Sequence, residues 1–169
     1  MRLVSVIVAI AVALALQTTL ARFVIRGSVG VDLVLVAVVY VALTSGPVTG
    51  LWTGTVAGLI QDALSTGIIG IGGLAKTVVG FLAGIIGTQF IVAQPLPRFL
   101  VFFGATALHA VIFIGLYALL DLRHFGIPYA AVTGQAVANA VVGVVAFQLV
   151  EILPGAVERR RASRTRLRR

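Results

Sequence analysis

GPVTGLWTGTVAGLIQD, residues 46–62, sets a glycine at every fourth position, and the next step of four after Gly46, Gly50, Gly54 and Gly58 lands on Asp62. In water such a series weakens a helix, since glycine costs about 1 kcal/mol relative to alanine in a helix interior. In lipid, helices gain nothing from hydrophobic exclusion and associate through close van der Waals contact, which small residues permit. Residues four apart lie on one ridge of a helix. The series therefore predicts a groove on one helix face that docks a second helix, from this chain or from a partner, with Thr55 beside it. Gly80 and Gly84 repeat the pattern over a shorter stretch.

Composition identifies the solvent. Of 169 residues, 60% are hydrophobic and 11% charged, against roughly 25% charged in a soluble domain. Mean hydropathy is +1.13. There is too little polar surface to cover a water-soluble globule, and the chain reads as an all-helical integral membrane protein. With no cysteine, disulfides and thiolate metal sites are excluded. The net charge of +8 is concentrated in the tail ERRRASRTRLRR, Glu158–Arg169, which holds seven of the thirteen basic residues. A basic block of this kind can bind nucleic acid. Following a series of membrane spans, it reads instead as a cytoplasmic anchor that attracts anionic lipid. The domain division expected is a single transmembrane helical domain over 1–157 and an arginine-rich tail over 158–169.

Crossing a ~30 Å hydrocarbon core takes about 20 apolar residues. Leu3–Ala21 is one such run, read as a retained span rather than a removed signal peptide because its flank carries only Arg2 and its cleavage signal is weak. Ile71–Ala93, Phe99–Leu120 and Tyr129–Leu153 are three more, separated by Gln94–Arg98 and Asp121–Gly126 as polar, helix-breaking loops. Val29–Gln61 would be about 50 Å long as one helix. Gly46-Pro47 offers a break, with Pro47 suited to a helix's first turn, giving the short spans Val29–Leu43 and Val48–Gln61. The count is then six, or five if the stretch stays whole and tilts. Six leave Arg22, Arg26 and Arg123 outside, and five leave Arg2 and Arg123 there.

Polar residues inside the spans are the candidates for chemistry. Asp62, at the negative end of its helix, and Lys76, early in the next span, are expected to form a structural ion pair; the competing arrangement has Asp62 capping the reversed chain while Lys76 snorkels to the interface. Asp32 has Arg22 and Arg26 as nearby cations, and Glu151 lies next to the arginine tail. Gln17, Thr18, Thr19, His109, Gln135, Asn139 and Gln148 complete the set. His109 has no second histidine or carboxylate at helical spacing, which excludes an HExxH-type or facial metal site. It reads as a hydrogen-bonding group between helices. Gln135 and Asn139, four apart on one face, would glue helices together or, with His109, line a small-molecule pocket. Gly67, Gly70, Gly72 and Gly73 lack phosphate-loop spacing. No catalytic residue, metal or cofactor is expected.

The stretch GLIQDALSTGIIGIGGLAKTVVGFLAG, Gly58–Gly84, resembles the signature region of the bacterial rod shape-determining MreD family: a glycine-rich span, a Q-D-A-L-S-like turn, then A-K-T, a hydrophobic residue and glycine. VDLVLVAVVYVALTSGPVTG, Val31–Gly50, is similar to that family's acidic-then-apolar second span and its S-G-P turn. Where the family often carries Leu-Gly-Leu-Asn, this chain has Gly70-Ile71-Gly72-Gly73, without the asparagine. The resemblance implies a non-enzymatic subunit of the cell-elongation complex (elongasome) in the bacterial inner membrane, supporting peptidoglycan synthesis and cell shape. It implies MreC as a partner, with MreB, RodA and penicillin-binding protein 2 in the same assembly, and no nucleic acid. It also implies a fold like that of the substrate-binding subunits of energy-coupling-factor vitamin transporters. On this reading Gly46, Gly50, Gly54, Gly58, Gly80 and Gly84 dock the transmembrane helix of MreC. The competing reading is a small-molecule-binding subunit of a transporter, with its pocket at His109, Gln135 and Asn139.

Overall fold

Asp32 starts the central helix: its side chain accepts a hydrogen bond from the Leu35 N–H, meeting one of the donors a helix start leaves unpaired. In the computed structural model, which describes residues 3–23, 30–65, 68–90, 94–121 and 129–166, six helices follow one another: α1 (Leu3–Phe23), α2 (Leu33–Ser45), α3 (Pro47–Leu64), α4 (Ile71–Gln89), α5 (Pro95–Leu119) and α6 (Tyr129–Arg166). No strand occurs among the described residues. Arg2, Arg26 and Arg123 fall outside them, as do the side chains of Arg22 and the arginine tail.

The break at Gly46-Pro47 is present. Gly46 takes φ +89°, a left-handed conformation that glycine tolerates, and Pro47 opens α3. Most boundaries shift by a few residues from expectation, and three of the shifts have a clear local cause or consequence. The second helix begins at Leu33 rather than Val29 because Asp32 caps it. The fifth begins at Pro95, since Pro95 and Pro97 sit in a first turn that needs no N–H from them. The sixth does not stop at Leu153: its backbone continues past Pro154 to Arg166, across the 157/158 division.

At 13 residues, or about 20 Å, α2 is the shortest helix and the most enclosed. Val34, Leu35, Val36, Val38, Val39, Val41 and Ala42 are all buried, and all five other helices pack around it. On one side Leu35, Val39 and Ala42 meet Val79 and Ala83 of α4, Phe102 of α5 and Ala140 of α6. On the other, Val34 and Val38 meet Ala13 of α1 and Ala57 of α3. Trp52 and Val56 on α3, Val111 on α5 and Leu149 on α6 are exposed outward. By length and composition α4, α5 and Tyr129–Ile152 of α6 are apolar enough to cross a membrane, and Val4–Thr19 and Leu33–Ser45 are shorter apolar helices.

The glycine groove is filled from within. A Cβ on Gly50 would overlap the Gly80 backbone, one on Gly54 the Lys76 backbone, one on Gly58 the Gly73 Cα, and one on Gly84 the Pro47 backbone. The facing glycines bring α3 and α4 into backbone contact, and this is the most extensive helix pair in the fold. Thr55 and Thr77 share a 2.8 Å hydroxyl hydrogen bond across it. Docking of a partner helix on this face is therefore corrected: the occupant is α4 of the same chain. Gly46 itself lies loosely, its added Cβ meeting only the Thr88 methyl at 3.7 Å. Further close approaches lack the four-residue repeat, Gly72 against the Asp62 carboxylate among them. Gly87 lies against the Leu43 backbone, and Gly143 seats the Phe102 ring.

Candidate functional site

Most of the buried polar side chains gather where α2 begins. Asp32 is 6% exposed and Lys76 3%; Lys76 Nζ stands 2.9 Å from Asp32 Oδ2. The Asp32 backbone N–H donates to Asn139 Oδ1 at 2.9 Å, and Asn139 Nδ2 donates to Thr106 Oγ1 at 3.2 Å. Gln61 Nε2 reaches Asp32 Oδ1 at 3.5 Å. Gln17 of α1 accepts from the Leu33 N–H at 2.8 Å. Lys76 Nζ is 3.3 Å from His109 Nε2. All six helices contribute, and the first turn of α2 is the point they share.

Two expectations about charge are corrected here. Lys76 pairs with Asp32, and Asp62 does something else. Its Oδ2 accepts from the backbone N–H groups of Gly70 and Gly73, both at 2.9 Å. The turn after α3 sets the first turn of α4 on the Asp62 carboxylate, where unpaired N–H groups and the positive end of the α4 dipole compensate its charge. The capping role weighed for Asp62 is thus the arrangement present. Lys76, by contrast, sits deeper along α4 with its side chain towards α2. Asp32, expected near the outer interface, is instead buried and stands at the centre of the network among the described residues.

Other expected residues divide plainly. His109 and Gln135 line a cavity of about 320 Å³ together with Asp32, Gln61, Asp62 and Lys76, walled by Phe113, Ile114 and Val132. Asn139 is fully buried and spent on Asp32 and Thr106, so it is a tie between helices rather than a pocket wall. Thr18 and Thr19 bond to carbonyls of their own helix, and Gln148 is exposed. At the opposite end of the bundle Arg98, 4% exposed, holds both Glu151 oxygens at 2.9 and 2.6 Å. Its guanidinium lies 3.9 Å from the Phe147 ring centroid. Glu151 is expected from sequence beside the arginine tail; its partner is Arg98, a residue that hydropathy alone assigns to a loop. A bidentate fork with an aromatic floor is a geometry arginine favours, though a sequence separation of 53 residues hides it.

The contacts described in the first cluster hold charge and join helices. Lys76 faces the Asp32 carboxylate as an ammonium. An ammonium has no lone pair, so His109 Nε2 must be the acceptor and the ring is neutral with its proton on Nδ1. Among the described residues no hydroxyl hydrogen-bonds His109 to serve as a nucleophile.

The same residues that form this cluster and the α3–α4 glycine contact fall within one family model, described as rod shape-determining protein MreD, which matches residues 1–154. No curated protein and no solved structure matches the chain. With a match over so much of its length, the chain belongs to the rod shape-determining protein MreD family.

Proposed function

We propose that this chain acts in rod-shape determination as a non-catalytic membrane subunit of the cell-elongation complex, binding the transmembrane helix of MreC and so supporting peptidoglycan synthesis. Membership of the family carries the role in rod shape; the partner is our reading. The chain crosses the inner membrane six times, with the arginine tail in the cytoplasm on anionic lipid, and its helices follow the arrangement of energy-coupling-factor substrate-binding subunits. MreB, RodA and penicillin-binding protein 2 belong to the same assembly.

With the α3–α4 face closed, the surface that best suits a foreign helix is the cleft between α4 and α5. It has a volume of about 240 Å³ and is lined by Val79, Leu82, Ile86, Leu100, Gly104 and Leu108. Gly104 carries the argument: a Cβ there meets nothing within 4 Å, so its backbone is open to close approach by a helix from outside. Because the chain has no cysteine of its own, Gly104→Cys is a clean probe. In membranes also holding MreC with single cysteines along its transmembrane helix, Gly104→Cys is expected to form a disulfide with one of them. Val56→Cys on α3 is expected not to. Cross-linking at Val56 instead moves the site, and recovery of this chain without MreC refutes the reading.

A further inference from the structure

We infer that the cavity beside Asp32 is a binding site for a small uncharged molecule with one hydrogen-bonding edge and one apolar face. This does not rest on the MreC reading.

Charge in the cavity wall is already matched. Asp32 holds Lys76, and Asp62 is held by two N–H groups at the start of α4. Neither an anion nor a cation would find an unpaired opposite charge, and either would have to shed its hydration on entry. Hydrogen bonding is not matched. Lys76 has three N–H donors and spends two, on Asp32 and His109. His109 Nδ1–H and the whole Gln135 carboxamide have no partner among the described residues. Gln61 Oε1 is buried without a donor, and its orientation is fixed because the Nε2 end must face the Asp32 carboxylate. Of these groups Gln61 Oε1 is buried, while His109 and Gln135 are half-buried along the cavity wall; a buried acceptor left without a donor is costly, and in native proteins it finds a protein, water or ligand partner.

The wall therefore offers donors from Lys76, His109 and Gln135, and acceptors from Gln61 and Gln135. Opposite them stand Phe113, Ile114, Val132 and Ala110. About 320 Å³ is within the range of small-molecule sites and larger than one water requires. A ligand with an amide-like edge and a hydrocarbon or aromatic body satisfies both sides at once.

One reporter and four probes of equal ring size test this. The full chain in nanodiscs, carrying Ile114→Cys as its only cysteine, is labelled with a methanethiosulfonate reagent. The probes, at matched free concentration, are benzamide, toluene, benzoate and benzylamine. Labelling is expected to proceed without a probe and to slow about fivefold or more with benzamide alone. Gln135→Leu should weaken the benzamide effect about tenfold, as loss of a paired amide predicts. His109→Phe is the second variant should the first purify poorly. Gln148→Leu, on the exposed side of α6, should leave the effect unchanged. Equal slowing by toluene would make the cavity an apolar hole and overturn the inference. Stronger slowing by benzoate or benzylamine overturns the charge argument and the inference with it. Failure of the Ile114→Cys chain to label, or no slowing by any probe, shows there is no such site.

Discussion

Lys76→Met is the perturbation whose outcome the fold fixes most closely. It removes the ammonium that stands 2.9 Å from the Asp32 carboxylate and leaves that carboxylate 6% exposed in the middle of the bundle. Breaking one side of a buried pair costs about 3–5 kcal/mol, mostly the penalty of the charge left behind. Replacing both partners removes that penalty. Asp32→Asn keeps the cap, since asparagine serves as well as aspartate in accepting from the Leu35 N–H. The double variant Asp32→Asn/Lys76→Met is therefore expected to lie within about 1–2 kcal/mol of the parent chain. Asp62→Asn should bring no such recovery to Lys76→Met, because Asp62 is bound to the start of α4. The assay is reversible unfolding in mixed micelles, followed by circular dichroism as the fraction of dodecyl sulfate rises. A double variant as unstable as Lys76→Met, or recovery through Asp62→Asn in its place, refutes the assignment of the pair.

Three more outcomes follow from the packing. Gly54→Ala, whose Cβ overlaps the Lys76 backbone, should destabilise by about 1–3 kcal/mol, the cost of overpacking. Gly104→Ala, with open space around it, should be neutral or slightly stabilising in the same assay, and equal losses at both positions would refute the packed α3–α4 face. Arg98→Lys should lower the melting temperature more than Glu151→Gln does. A lysine cannot span both carboxylate oxygens while lying on Phe147, whereas Glu151 is half exposed and keeps water as an alternative. Finally, Ser65→Cys and Gln94→Cys bracket α4 and should label from opposite sides of the membrane with an impermeant maleimide, Gln94→Cys from the cytoplasm; labelling of both from one side would remove α4 as a crossing.

The sequence carries the elements of this fold better than their partners. Hydropathy locates all six helices, and Gly46-Pro47 locates the break between α2 and α3, because both signals are local. The glycine repeat predicts a helix in contact and leaves its identity open. That identity depends on α4 returning antiparallel, and the matching glycines at 73, 80 and 84 are the trace of it in the sequence. The ion pair is misassigned from sequence for a similar reason. Asp62 is near Lys76 along the chain, and a short turn makes such neighbours look like partners. Asp32 reaches Lys76 only because α2 occupies the centre, and nothing in a valine-rich stretch of 13 residues distinguishes a central helix from a lipid-facing one. His109 and Gln135 are legible as polar groups in apolar spans. That they share a cavity while Asn139 is withdrawn from it depends on the rotation of α6 against α5, which no spacing rule supplies.

The arrangement of α2 also has a consequence in time. The Asp32 N–H and its acceptor Asn139 are 107 residues apart, so at about 5–20 residues per second the ribosome delivers the second about 5–20 s after the first. Lys76 and His109 arrive between them. During synthesis the nascent hairpin of α2 and α3 must therefore wait in the translocon or the bilayer with the Asp32 carboxylate uncompensated until α4 brings Lys76, and only the arrival of α6 completes its ties. A chain released before Asn139 has its most central helix in place with the Asp32 N–H still lacking its acceptor.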